Sequence, residues 1–227
     1  MISAGFTGRP VLVHLADGDA RAVTLLGRVD EAADCQAADC QAEADDARAA
    51  ATLTGARRRE FLGGRALLRR AVAQLTGVRV ESVRIGARDD NRPVCLSFPE
   101  VDVSISHSAG RIAVTAARGC DVGVDIQIPV PVSDRLLHRF GIAGTEHAQT
   151  APTEDLSYQF ADAWTVREAC AKSLGLRASA DLWRIRVPPK ARRGHWGGAH
   201  WYRVPPFHGC PVALALRPRA QTAEPLS

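Results

Sequence analysis

The stretch Val101 to Ile128, VDVSISHSAGRIAVTAARGCDVGVDIQI, decides the fold. Val101, Val103 and Ile105 recur at every second position, the period of a strand with one apolar face. Ser108-Ala109-Gly110-Arg111 supplies the turn residues for a hairpin into a second strand carrying Ile112, Val114 and Ala116. After Arg118-Gly119-Cys120-Asp121 a third strand follows, with Val122, Val124, Ile126 and Ile128 on one face. Because side chains alternate across a strand, Asp125 points the other way, beside Gly123 and Gln127.

Working outward, the spacing predicts a helix on each side. From Arg57 onward Phe61, Leu67, Leu68, Ala71, Val72 and Leu75 share one arc, and Gly77 offers a stop. Arg58, Arg65 and Arg69 form a neighbouring stripe, which on an isolated helix is a solvated basic face. A second helix is expected over Tyr158 to Leu174, with Phe160, Ala163, Val166, Cys170 and Leu174 facing the core and Gly175 ending it. Trp164, Glu168 and Lys172 follow one another on the adjacent face. Residues 11–15 and 22–26 read as short strands, Asp89 to Pro93 as a turn, and Asp181 to Arg217 as further strands. Each half is therefore a helix with antiparallel strands, an α+β fold in place of alternating βαβ. The seam near Gly119 to Val122 divides the chain into subdomains 1–120 and 121–227.

Composition narrows the class. In 227 residues, 46% apolar and 24% charged, no apolar run is long enough for a membrane span. Met1 to Leu15 lacks the pattern of a signal peptide, so a cytoplasmic protein is expected. Six cysteines, at 35, 40, 95, 120, 170 and 210, have no zinc spacing and are expected to be reduced and buried. Two of them lie in a tandem repeat, AADCQAADCQ at 32–41, that reads as low complexity. The net charge of +4 comes from 27 arginines and only two lysines, Lys172 and Lys190. That balance suits nucleic acid, a phosphate-bearing ligand or an acidic protein, and the 5% aromatic content disfavours the first.

The chemistry-bearing residues are few. Asp125 and Glu168 are hard oxygen donors of the type that hold Mg2+, which completes its shell with water and substrate phosphates. Lys172, one turn beyond Glu168, could meet the same phosphates, although Glu and Lys at i, i+4 also form an ordinary surface pair. His107, between Ser106 and Ser108 at a strand end, could bind phosphate or titrate, or simply occupy a turn. Neither serine lies in a G-x-S-x-G elbow, and neither a Walker A loop nor G-x-G-x-x-G occurs.

Three segments in order, Val103-Ser104-Ile105-Ser106-His107-Ser108, Val122-Gly123-Val124-Asp125-Ile126-Gln127 and Trp164 to Lys172 (WTVREACAK), resemble the surfactin-type class of 4'-phosphopantetheinyl transferases. Arg57 to Arg69 is similar to the family's arginine-bearing helix, Asn91-Arg92-Pro93 stands where Gly-Lys-Pro is common, and Arg139-Phe140 through Thr145-Glu146 is similar to the segment before the Trp-Lys-Glu helix. The resemblance spans residues 55–187. It implies transfer of phosphopantetheine from coenzyme A to a serine of an apo acyl or peptidyl carrier protein, with release of 3',5'-ADP. It also implies a pseudo-two-fold pair of α+β halves, with coenzyme A and Mg2+ at the seam.

Carried over by position, Asp125 and Glu168 would ligate Mg2+, and Glu168 would take the serine proton directly or through a metal-bound water. Lys172 would stabilise the leaving diphosphate, while Arg92, Ser106 and His107 hold the 3'-phosphoadenosine end and Arg57 and Arg65 reach phosphates. Gln127 departs from the glutamate common at that metal position, so water would take its place or Mg2+ would be held more weakly. The partners implied are carriers of polyketide, nonribosomal peptide or fatty-acid synthases, served by a monomer without nucleic acid or membrane. A non-catalytic coenzyme A or carrier-binding module and an arginine-rich nucleic-acid binder are the rival readings.

Overall fold

Two four-stranded antiparallel sheets lie face to face, each with a long helix on its outer side. The computed structural model describes residues 11–14, 21–30, 42–142, 153–176, 180–189 and 191–219. The first sheet runs in the order β1 (Val11–His14), β2 (Arg21–Arg28), β6 (Arg111–Arg118), β5 (Val101–Ser108). The second runs β7 (Cys120–Ile126), β10 (Cys210–Pro218), β9 (Ala199–Phe207), β8 (Arg193–Trp196). A two-stranded hairpin, β3 (Ile85–Ala87) with β4 (Pro93–Cys95), stands beside the first sheet. Helices α1 (Ala42–Ala49) and α2 (Gly55–Thr76) belong to the first half, α3 (Asp134–Arg139) and α4 (Thr153–Ser173) to the second.

Alternation along the strands builds the layers. Val23, Leu25, Ile112 and Val114 face outward onto Leu67, Leu68 and Val72 of α2. Their neighbours Ala22, Leu26, Ala113 and Ala117 face inward onto Val122, Val124, Ile126, Val212, Leu214 and Leu216 of the second sheet. The far side of that sheet, with Ala213, Ala215 and Trp201, takes Val166, Ala169 and Cys170 of α4. The β5–β6 hairpin turns through Ala109 and Gly110, both at positive φ, and Gly119, also at positive φ, turns β6 into β7. Expectations for the α+β class, the three strands from Val101 onward and the helix stop at Gly77 thus hold, except that the third strand ends at Ile126, two residues short of Ile128.

Three details differ from the sequence reading. Helix α4 begins five residues before Tyr158, because its apolar stripe starts only at Phe160 and its first turn is polar. The segment opening the C-terminal region is a short 3-10 turn, Ala180–Arg184, before any strand. The basic stripe on α2 is not a solvated face: Arg65 and Arg69 are only 5% and 2% exposed. Arg69 pairs with buried Asp46 of α1, Arg65 donates to the Gly86 carbonyl at 2.6 Å, and Arg58 to the Ala50 carbonyl at 2.5 Å. Among the described residues Cys95, Cys120, Cys170 and Cys210 are free and buried, as expected. The repeat at 32–41 and Thr145–Glu146 lie outside the described residues. Among the described residues no helix is long and apolar enough to cross a membrane.

Candidate active site

Strands β5 and β7 are the facing edges of the two sheets, and no backbone ladder joins them. Every second side chain of β5 does so instead. Asp102 Oδ2, Ser104 Oγ, Ser106 Oγ and Ser108 Oγ accept the backbone N–H groups of Val122, Val124, Ile126 and Ile128, at 2.8, 3.1, 3.4 and 3.0 Å. The constant offset of twenty residues means that the strands run parallel. An edge strand's outward N–H groups need acceptors when buried, and this polar ladder provides them.

Asp125 projects from the β7 side of the ladder and is 6% exposed. Its Oδ1 accepts the Ser106 hydroxyl at 2.7 Å and the Lys172 ammonium at 2.7 Å, and Lys172 Nζ also donates to the Val124 carbonyl at 2.9 Å. Lys172 thus reaches across to the strand, which the surface-pair reading with Glu168 did not anticipate. The helix lies this close because residue 123 is glycine. A Cβ there would stand 2.0 Å from the Ala169 carbonyl oxygen and 2.7 Å from Lys172 Cβ. Glu168 is half-buried on the same helix, and burial followed by the Asp125 charge raises its pKa, with Lys172 opposing. Gln127 Nε2 donates to the Ile128 carbonyl at 3.2 Å.

The seam opens into a pocket of about 370 Å³. Arg65, Arg92, Ser106, His107 and Lys172 line it, together with Glu60 and Asp90. Burial lowers the pKa of Arg65, and its guanidinium lies over the Phe61 ring at 5.1 Å. Arg92 sits in the β3–β4 turn, where Asn91 takes a positive φ, and its Nε donates to Asp90 Oδ2 at 2.7 Å. The Arg92 backbone N–H donates to Asp90 Oδ1 at 3.1 Å, and this bond first, then the side-chain one, holds the Asp90 carboxyl below its usual value. His107 Nδ1 lies 3.6 Å from Glu60 Oε2. A second recess of about 180 Å³ continues along the seam, sharing Arg92, Pro93, Ile105 and Lys172 and adding Arg88, Asp102 and Arg217. Arg57 is exposed, and neither it nor Asp125, Gln127 and Glu168 lines either pocket. Asp125 stands behind the wall formed by Ser106 and Lys172.

Sequence reasoning missed Glu60, Asp90 and the ladder. Glu60 had a signal, since it falls one turn before Gly64 and Arg65 on the helix side that meets the pocket. The ladder had a signal only in the alternation Asp102, Ser104, Ser106, Ser108, which a solvent-facing strand would also show.

A cation would suit the carboxylate pair. Glu168 is pushed toward its protonated form by burial and by a neighbouring carboxylate, which a divalent ion would relieve. Among the described residues no three His, Cys, Asp or Glu side chains converge into a protein cage. Two carboxylates, with water and substrate completing the shell, match the habit of Mg2+. No curated protein matches the chain. Residues 44–117, covering most of α1, all of α2, the β3–β4 hairpin, β5 and nearly all of β6, match the family model of the 4'-phosphopantetheinyl transferase N-terminal domain. The matched segment, about a third of the chain, carries Arg65, Arg92, Ser106 and His107 and is similar to the N-terminal domain of that family.

Proposed function

We propose that the protein is a surfactin-type enzyme that transfers 4'-phosphopantetheine from coenzyme A to a serine of an apo acyl or peptidyl carrier protein. The observation that carries this reading is a single lysine shared between two environments. Lys172 lines the cation-rich pocket and also holds buried Asp125. A polyanion in the pocket and a metal at the carboxylates would then meet at one ammonium group.

In this reading the carrier serine oxygen attacks the β-phosphorus of coenzyme A, and the bond to the adenosine-bearing phosphate breaks. The electron pair leaves with 3',5'-ADP, and Glu168 accepts the serine proton. Burial and the Asp125 charge raise the pKa of Glu168, which makes it a stronger proton acceptor than a free glutamate. Lys172 stabilises the negative charge growing on the departing 5'-phosphate of 3',5'-ADP, an electrostatic role that fixed cations perform without reorganising. Arg65, Arg92 and His107 hold the 3'-phosphoadenosine end. Arg57 adds a cation at the start of the same helix, three residues before Glu60. Asp125 and Glu168 would hold Mg2+, which neutralises the diphosphate when bound. Gln127 contributes at most an amide oxygen. Subdomains 1–120 and 121–227 divide the labour, with Arg65, Arg92 and His107 in the first and the carboxylates and Lys172 in the second.

Incubation with apo carrier proteins, coenzyme A and Mg2+, followed by intact mass measurement, tests the reading. A mass gain of one phosphopantetheine on polyketide, nonribosomal peptide or fatty-acid carriers is expected. Coenzyme A binding without gain on any carrier would instead favour the non-catalytic module that Gln127 suggests. Binding of nucleic acid that falls steeply with salt and ignores Asp125→Ala would overturn both.

A further inference from the structure

We infer that Ser106 is a positioning residue that orients Asp125, and that it does not contact the nucleotide. This rests on the reading above, and it reassigns a residue whose place in the motif pointed to the 3'-phosphate end.

A hydroxyl has one proton to give. Ser106 donates it to Asp125 Oδ1 at 2.7 Å while its oxygen accepts the Ile126 N–H at 3.4 Å. A phosphate in the pocket would need that same proton, because an unprotonated lone pair facing an oxyanion is repulsive. Ser106 is also 8% exposed, whereas His107 beside it has half its side chain in the open. Comparison along the ladder sharpens the point. Ser104 and Ser108 accept from β7 as Ser106 does, but among the described residues Ser106 alone of the three donates to a carboxylate. Asp125 Oδ1 is thus anchored from two directions, by Ser106 of the first half and Lys172 of the second. Two anchors fix the carboxylate plane and keep both bonds off Oδ2. Partners that orient a metal-binding carboxylate in this way are worth about 10- to 100-fold in metal affinity.

The test uses the full chain and Mn2+ as a spectroscopic stand-in for Mg2+, with free and bound ion measured by electron paramagnetic resonance. Ser106→Ala is expected to raise the Mn2+ Kd about 10-fold or more. The Kd of 3',5'-ADP, measured in EDTA, should stay within about twofold of the parent value. Ser104→Ala, which removes a rung that does not touch Asp125, should leave the Mn2+ Kd unchanged. Ser106→Thr, which keeps the donor, should bind Mn2+ like the parent, and Ser106→Cys, a weaker donor, should fall between Thr and Ala. The Thr–Cys pair carries the test if the alanine variant fails to fold. Equal Mn2+ affinity across the position-106 series would overturn the inference. So would a Ser106→Ala variant that loses affinity for 3',5'-ADP but not for 5'-ADP, the mark of a direct 3'-phosphate contact. If the parent binds neither Mn2+ nor 3',5'-ADP, the functional reading itself fails, a result distinguishable from the other two.

Discussion

The two halves seat their helices by opposite devices. In the first half the small residue is on the helix: Gly64 of α2 faces Ile105 of β5, and a Cβ there would meet that side chain at 3.4 Å, an ordinary contact. In the second half it is on the strand: Gly123 of β7 faces the backbone of α4, and a Cβ would meet the Ala169 carbonyl oxygen at 2.0 Å. The charges divide as well. Helix α2 of the first half buries cations, Arg65 and Arg69, while the second half presents the carboxylates Asp125 and Glu168 against one lysine. Two similar layers have therefore become a half suited to anions and a half suited to a cation. The closer helix–strand approach lies where Lys172 is pressed onto Asp125.

Substitutions ranked by their expected effect on stability can break that contrast. Gly123→Ala should be the most damaging, since backbone cannot yield as a flexible side chain does. A loss of about 3 kcal/mol or more in denaturant unfolding is expected, together with loss of transfer. A well-folded, active Gly123→Ala protein would mean that α4 has room to lift. Next, Arg69→Met leaves Asp46 buried without its partner, at a cost of about 3 kcal/mol. Transfer at a temperature where the variant remains folded should persist, because Arg69 lines neither pocket.

Glu168→Gln should act in the other direction. In the folded protein the Glu168 pKa lies above its ordinary value, mainly through burial and then through Asp125. As pH rises between the ordinary and the raised pKa, the unfolded chain has already released a proton that the folded one still holds. Stability contributed by this group therefore falls with pH across that window and stays lower above it. The variant should be more thermostable than the parent at pH 8, by about 2–4 °C for each kcal/mol recovered, and no more so at pH 4. Its transfer rate should drop about 100-fold or more. Equal Tm at pH 8 would show that Glu168 carries no penalty. The smallest effect belongs to Gly64→Ala: the space accepts a methyl group, and helix propensity favours it by up to about 1 kcal/mol. Marked destabilisation there would erase the difference between the two seats.

Much of this arrangement was legible in the chain, and the exceptions share a cause. The strands from Val101 to Ile126, the stop of α2 at Gly77 and the outward turn of Asp125 follow from periods of 2 and 3.6 and from glycine at positive φ. Local periodicity does not say what lies opposite a polar face. Asp102, Ser104, Ser106 and Ser108 alternate as water-facing residues would, yet they meet another strand's N–H groups. Arg65 and Arg69 form the stripe expected of a solvated helix, yet the β3–β4 hairpin and α1 cover them. The bond from Ser106 to Asp125 spans two sheets, and only the packing of those sheets brings the two residues together.

The ladder between β5 and β7 also bears on aggregation. Each half, taken alone, ends in an exposed strand edge, the surface on which foreign strands add. Here the side chains of one edge occupy the donors of the other. A slip of two residues would set Asp102 against Val124 and strip the Val122 N–H of its acceptor. The same serines that carry the motif therefore act as a register lock and a guard against intermolecular strand pairing, and chains broken near Gly119 should be sticky long before they are unfolded.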